Sequence, residues 1–443
     1  MRHLRYLGLW MLLGGLTALH AVPAPRAEFP LKDGDLWVMA GDSITAQHLH
    51  SNYFEAFCYA RYPNLKFAFR NSGVGGHTIP STLARFDYDI GAWKPSVVSV
   101  ELGMNDQGGT ATEKFVANMG TMVERIRGAK ARPVILSASP INNGNTMANL
   151  GGNKRLHEYA TALKEFSMKE GLPYADQFHL LIDLWGANKP RETVANSVSA
   201  LKQAAADDSV AGVEHLRAFL AAQEKSPAKP VSMQGDAVHP GPPGQLMMAA
   251  ALLKELGADS FVSSATLDAA GRLVEAKGCA VDAVKADGGR LEFDRLDERL
   301  PFPIPDDARS VVAFHPAILE LSQYTLKVSG FKGDGATLKI NGIPTATLTA
   351  KELEAGINLT AFALQTKDVN PISAQMRAIL AAVSAKEGIV GQWRSLSQKA
   401  HAAGADPGLK DQLAALTRKV EEADAKIREA AKPQKLHFEL LPQ

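Results

Sequence analysis

DLWVMAGDSI, residues 35–44, is an apolar run that stops abruptly at glycine, aspartate and serine, and its reading decides the fold. Six residues with almost no polar face suit a strand buried on both sides, as in a parallel sheet covered by helices. Three more runs repeat the pattern: Lys66 to Arg70, Val97 to Leu102 and Pro133 to Ser137, each followed by turn residues and then amphipathic sequence. A short fifth strand is expected near Leu172 to Ala175, after a helical stretch from Lys154 to Glu170. This alternation predicts a three-layer α/β/α sandwich around a central parallel sheet.

In open α/β sheets, sites are built at the carboxyl ends of the strands. Gly41-Asp42-Ser43-Ile44 sets a serine at a strand-to-helix turn, where it serves either as an exposed hydroxyl or as a plain N-cap. Asn71-Ser72-Gly73-Val74-Gly75-Gly76-His77-Thr78 is a glycine-rich turn, able to bring N–H groups close to a ligand or simply to form a loop. Gly103-Met104-Asn105-Asp106 presents a side-chain amide from a turn. Far downstream, Asp236-Ala237-Val238-His239 precedes a predicted helix from Gly244 to Leu256, so one loop carries an imidazole and a carboxylate that can orient it.

In order and character these four blocks resemble those of the SGNH, or GDSL, hydrolases, and the resemblance covers about Asp35 to Leu256. It implies a serine esterase in which Ser43 is the nucleophile, His239 the general base and Asp236 the orienting carboxylate. It further implies an oxyanion hole from the Ser43 N–H, the Gly76 N–H and the Asn105 side chain. Gly76 is preferred to Gly73 and Gly75 because it stands two residues before Thr78. Asp42 and Asp106 are read as structural supports of the site loops, and His77 as either a surface histidine or a substrate neighbour. His48, His50, His157 and His315 show no paired metal-ligand spacing, so neither metal nor organic cofactor is expected.

Around this unit, the chain divides into residues 1–27 as a signal peptide and linker, 28–268 as the catalytic domain, 269–365 as a small β-sandwich-like accessory domain, and 366–443 as a helical segment. Arg2 and Arg5, the apolar run from Tyr6 to Leu19, and Ala21, Ala24 and Ala27 have the form of a secretory signal. The run is shorter than the roughly 20 residues that span a bilayer, so export without a permanent membrane span is expected. Only Cys58 and Cys279 are present, too few for a disulfide framework. With 48 Lys and Arg against 47 Asp and Glu, there is no basic field for a nucleic acid.

A helical insertion is expected over residues 190–223, followed by a loop over 224–235. Beyond about Ala270, strands are expected at Leu291 to Phe293, Val311 to Phe314, Tyr324 to Val328, Ala336 to Ile340 and Thr345 to Leu348. The run from Tyr324 to Pro344 reads as a meander whose Asn341-Gly342 pair marks a hairpin. Asn370 to Lys432 reads as helix, with Leu413, Leu416, Val420 and Ile427 in a stripe that packs on the same chain or on a coiled-coil partner. Lys435 to Pro442 is expected to return as an edge strand. Export and a β-rich accessory region point to an O-acetylated carbohydrate as substrate. The alternatives are a lipid or aryl ester and, in a different class, a catalytically silent cell-surface binding protein.

Overall fold

The computed structural model describes residues 28–142, 153–187, 198–210, 212–224, 233–363 and 369–443. The signal-peptide reading, the start of the insertion and most of the loop before Asp236 lie outside them.

Five strands form the first sheet: β1 (Asp35–Gly41), β2 (Phe67–Gly73), β3 (Val97–Glu101), β4 (Arg132–Leu136) and β5 (Tyr174–Ala175). Their order is β2-β1-β3-β4-β5, and every pair is parallel. Trp37 and Met39 enter the core on one face, Val38 and Ala40 the core on the other, so the uninterrupted apolar run has a direct cause. The helices are α1 (Ser43–Ala46), α2 (His50–Arg61), α3 (Ile79–Ala84), α4 (Phe86–Asp89), α5 (Thr112–Gly128), α6 (Lys154–Glu170), α7 (Gln177–Ala187), α8 (Val198–Ala205), α9 (Val213–Glu224) and α10 (Pro242–Glu255). Phe54 and Phe57 of α2, with Leu246 and Met247 of α10, cover the first face. Phe115, Met119 and Met122 of α5 cover the second. The result is the expected three-layer α/β/α sandwich.

The β-rich region is two sheets. One has the order β13-β10-β6-β7, from β6 (Phe261–Asp268), β7 (Leu273–Lys277), β10 (Gln323–Ser329) and β13 (Ile357–Asn358). The other is β12-β11-β14-β9-β8, from β8 (Cys279–Asp287), β9 (Arg290–Asp297), β11 (Gly335–Ile340), β12 (Ile343–Thr349) and β14 (Leu436–Pro442). Leu326 and Val328 of the first share one apolar core with Phe293, Leu338 and Phe438 of the second.

Four expectations change here. Val311 to Phe314 lies in a helix, Ser310–Phe314, because a short apolar run has no period that separates strand from buried helix. The meander is broken: β10 pairs in parallel with β6, while β11 and β12 form a hairpin in the other sheet through Asn341 and Gly342, both at positive φ. Residues 261–268, read as the end of the catalytic unit, are a strand of the accessory sheet. The C-terminal segment is no edge strand, since β14 lies between β9 and β11 and stacks Phe438 on Phe293 at 5.1 Å.

Residues 370–432 are two helices, α11 (Pro371–Ala400), capped by Asn370, and α12 (Gly408–Ala430). They pack along each other, and α11 lies against α2, α4 and β2. Of the predicted stripe, Val420 and Ile427 are buried, while Leu413 and Leu416 lie at the edge of the core. The pair thereby covers the edge of β2, whose unpaired backbone would otherwise invite another strand. Lys386 bonds Glu55 at 2.9 and 2.7 Å, Arg70 bonds Asp424 at 3.0 and 2.7 Å, and Trp393 stacks on Trp93 with centroids 3.5 Å apart.

Candidate active site

The first loop turns at the end of β1. Asp42 Oδ1 accepts from Ile44 N at 2.9 Å, which caps α1 and makes Ser43 the first helical residue. This bond leaves the serine hydroxyl free of capping duty. At the end of β2, Asn71 Oδ1 accepts from Gly73 N at 2.8 Å and Asn71 Nδ2 donates to Thr45 O at 2.7 Å. A Cβ on Gly73 would stand 2.4 Å from Ala46 N, so only glycine lets β2 pass so close to α1. The Gly73 N–H is spent on Asn71, and Gly76, at φ +74°, turns the loop back beyond it. A Cβ on Gly75 would lie 3.9 Å from Ser43 Cβ, so this loop passes beside the hydroxyl.

Asn105 reaches the same place from the end of β3. Its Nδ2 donates to His77 O at 3.0 Å and, at a long 3.4 Å, to Asp42 Oδ2. The amide therefore stands between the first two loops with its hydrogens engaged, and an incoming oxyanion would compete for the longer bond. Asp106 Oδ1 accepts from Ile79 N at 3.2 Å, tying the second and third loops together.

The fourth loop closes the site. Asp236 Oδ1 accepts from Val238 N at 2.8 Å and His239 N at 2.7 Å, so its carboxylate organises its own turn. His239 Nδ1 lies 2.9 Å from Asp236 Oδ2, and His239 Nε2 lies 2.8 Å from Ser43 Oγ, across 196 residues of sequence. Hydrogen bonds from the His239 backbone, the His239 ring and Val238 hold the Asp236 carboxyl down at about 2, so it is ionised and can only accept. Nδ1 must then carry the ring proton. In the neutral ring, Nε2 is left as an acceptor facing the Ser43 hydroxyl.

Four supporting residues escaped the sequence reading. Glu101 Oε2, at the end of β3, lies 3.1 Å from Thr45 Oγ1 and 2.9 Å from His50 Nε2. Gln245 Oε1 accepts from His50 N at 3.0 Å and lies 2.9 Å from His50 Nδ1, while Gln245 Nε2 donates to Pro240 O at 3.1 Å. An oxygen that accepts from a backbone N–H requires a proton on Nδ1 as well, and Nε2 faces Glu101. Burial alone would lower its pKa, but the Glu101 carboxylate reverses this and the ring is held above its ordinary value. The network ties the serine turn to the residue after His239. Burial, and then Glu101, push the Asp42 carboxyl up to about 7. The overlooked signal is that α2 carries His50, Ser51, Asn52, Glu55 and Arg61 with every residue buried. Polar groups on a helix with no water-facing side need partners elsewhere.

Among the described residues no group of three or more His, Cys, Asp or Glu is arranged to hold a metal ion. His157 and His179 do meet, at 2.8 Å, but His179 turns its other nitrogen to Asp176 at 2.7 Å. No helix among the described residues is long and apolar enough to cross a membrane.

Residues 39–246 match the GDSL-like lipase/acylhydrolase family. An acetylxylan esterase of Geobacillus stearothermophilus is 23% identical over 208 residues, which is 46% of this chain and 79% of that protein. An uncharacterized lipoprotein of Bacillus subtilis is 23% identical over 149 residues, 29% of this chain and 61% of that one. Among solved structures, a gut microbial diltiazem-metabolizing enzyme superposes with a TM-score of 0.69 at 22% identity, covering 94% of this chain and 100% of its own. That likeness extends the shared fold beyond the sandwich to the β-sheets and the C-terminal helices. Residues 39–246 belong to the GDSL-like lipase/acylhydrolase family, and the chain is a serine carboxylic ester hydrolase of that type.

Proposed function

We propose that this chain is an exported esterase that removes O-acetyl groups from a carbohydrate, with Ser43, His239 and Asp236 as its catalytic triad. The observation that carries the mechanism is the 2.8 Å contact of His239 Nε2 with Ser43 Oγ, with Asp236 on the opposite ring nitrogen. Nε2 takes the hydroxyl proton as Oγ attacks the ester carbonyl, and Asp236 stabilises the imidazolium that results. The carbonyl oxygen becomes an anion, received by the N–H groups of Ser43 and Gly76 and by Asn105 Nδ2 in exchange for its long bond to Asp42. His239 then returns the proton to the leaving alcohol, and water repeats the sequence to free acetate.

Two observations favour an acetylated glycan over a lipid or aryl ester. The relative matched over most of its length is named an acetylxylan esterase. The Asp236 side chain is 66% exposed and that of His239 34%, an open position suited to a bulky hydrophilic alcohol rather than to a long acyl chain, which needs an apolar tunnel. Export is supported by the charge and hydropathy pattern of residues 1–27. The deciding experiment incubates acetylated xylan and a series of p-nitrophenyl esters with wild type and Ser43→Ala, side by side. Acetate release by wild type alone, with short acyl chains preferred, is the expected result. Preference for long acyl chains without acetate release rejects the carbohydrate reading, and fluorophosphonate labelling of wild type but not of Ser43→Ala rejects a silent binding protein.

A further inference from the structure

The C-terminal helix α11 touches the loop that passes beside Ser43. Arg394 Nε and Nη2 bond the two oxygens of Asp89 at 2.6 and 2.8 Å, and Nη1 donates to Gly73 O at 3.0 Å. From within the sandwich, Arg85 bonds the same aspartate, donates to Ser72 Oγ at 2.7 Å and Ser72 O at 2.8 Å, and reaches His77 Nδ1 at 3.2 Å. Over this clamp a cleft of about 250 Å³ lies between the loop and the helix, walled by the three clamp residues and by Val74, His77, Tyr88, Ser395 and Gln398.

The chemistry of the walls restricts what fits. Both guanidinium groups lie against the Asp89 carboxylate, which offsets part of their charge, and Arg394 Nη1 and Nη2 each keep one N–H that can donate to a neutral hydroxyl. Because Arg85 donates to Nδ1, a neutral His77 carries its proton on Nε2 and is a donor there. The Gln398 amide and the Tyr88 hydroxyl make no hydrogen bond among the described residues, and Tyr88 adds an aromatic face. Val74 is the one aliphatic side chain in the wall, so an acyl chain would find little apolar surface. The volume is below the roughly 300–1,000 Å³ of pockets for drug-sized ligands, and is room for a single sugar ring. Val74 and His77 flank the glycine whose Cβ would lie 3.9 Å from Ser43 Cβ, so cleft and nucleophile are one loop apart.

We infer that this cleft is a subsite for a sugar unit adjoining the esterified one, built jointly by the sandwich and by the C-terminal helix. The inference rests on the carbohydrate reading above, and its test separates the two. Gly391 lines the cleft, and a Cβ there meets nothing within 4 Å, so Gly391→Phe sets a bulky ring on the wall with no clash at its Cβ. Replacing a glycine inside a helix also favours that helix. In the full-length enzyme, Gly391→Phe is expected to lower kcat/KM on acetylated xylotetraose at least about tenfold. Hydrolysis of p-nitrophenyl acetate should stay within about twofold of wild type, and Gly391→Ala should match wild type on both. Equal activity of Gly391→Phe on the oligosaccharide, or equal loss on both substrates, overturns the subsite and leaves the carbohydrate reading standing. If wild type releases no acetate from the oligosaccharide, that reading fails instead. Calorimetric titration with unacetylated xylotetraose then decides the cleft: binding by wild type that is lost in Gly391→Phe upholds it, and no binding by wild type overturns it.

Discussion

The active-site loops (the front) and the seam where α11 packs on α2 and β2 (the back) both set a nitrogen against carboxylates, under opposite conditions. At the front, Asp236 and His239 stand three residues apart on one loop, the carboxylate mostly open to water and the imidazole partly so. At the back, the Lys386 ammonium is enclosed by Glu55 and Glu387, with side-chain exposures of 0%, 2% and 4%. Burial works against the lysine's charge, but the Glu387 and Glu55 carboxylates hold its pKa above the ordinary value. Water that reaches a partly exposed imidazole screens a change in its charge. A buried ion cluster cannot lose a member without stranding the others. The first arrangement suits chemistry, and the second fastens the C-terminal helices to the sheet.

The largest effect that would break this contrast is at the front. Ser43→Ala should reduce ester hydrolysis by about 10⁶-fold with unchanged thermal unfolding. Retained turnover would separate the geometry from the chemistry. At the back, Lys386→Met leaves two carboxylates buried together and should cost about 3–5 kcal/mol in denaturant unfolding. Turnover per fluorophosphonate-titrated site should be unchanged, and a loss there would show that the back also serves catalysis. Asn105→Ala should lower kcat by about 10²–10³-fold with little change in KM.

A smaller, pH-dependent effect sharpens the comparison, because Asp42 is a buried carboxyl at the front. Its folded pKa of about 7 lies above the unfolded value, so the proton it holds stabilises the fold below the ordinary carboxylate range. That stabilisation is lost as pH rises toward 7. Asp42→Asn keeps an oxygen for Ile44 N and does not titrate. Its melting temperature relative to wild type should therefore climb by about 3 °C between pH 4 and 7 and stay level above. A flat difference would mean that Asp42 stays ionised throughout.

Where structure and sequence agree, the signal was local. Each strand of the first sheet carries its own apolar run, and Asp236 and His239 are joined by a turn that the Asp236 carboxylate itself bonds. Where they diverge, the partner lies far along the chain. Nothing near Tyr324 says that β10 pairs with β6 rather than with its neighbour, and the alternation of Leu436 to Leu440 suits an edge or a centre equally.

The amino-acid sequence by itself determined the parallel sandwich, the three strand-end blocks, the Asp236–His239 turn and the chemical types of the residues at the site, because apolar periodicity and turn chemistry act within a few residues. Only the tertiary structure decided that β14 completes the centre of a distant sheet, that His50, Glu101 and Gln245 brace the serine and histidine loops, and that α11 returns to wall a cleft beside them. Those are pairings of polar groups and backbone edges across tens to hundreds of residues. They are selected by which buried donor finds which acceptor, and that competition is resolved only once the chain has packed.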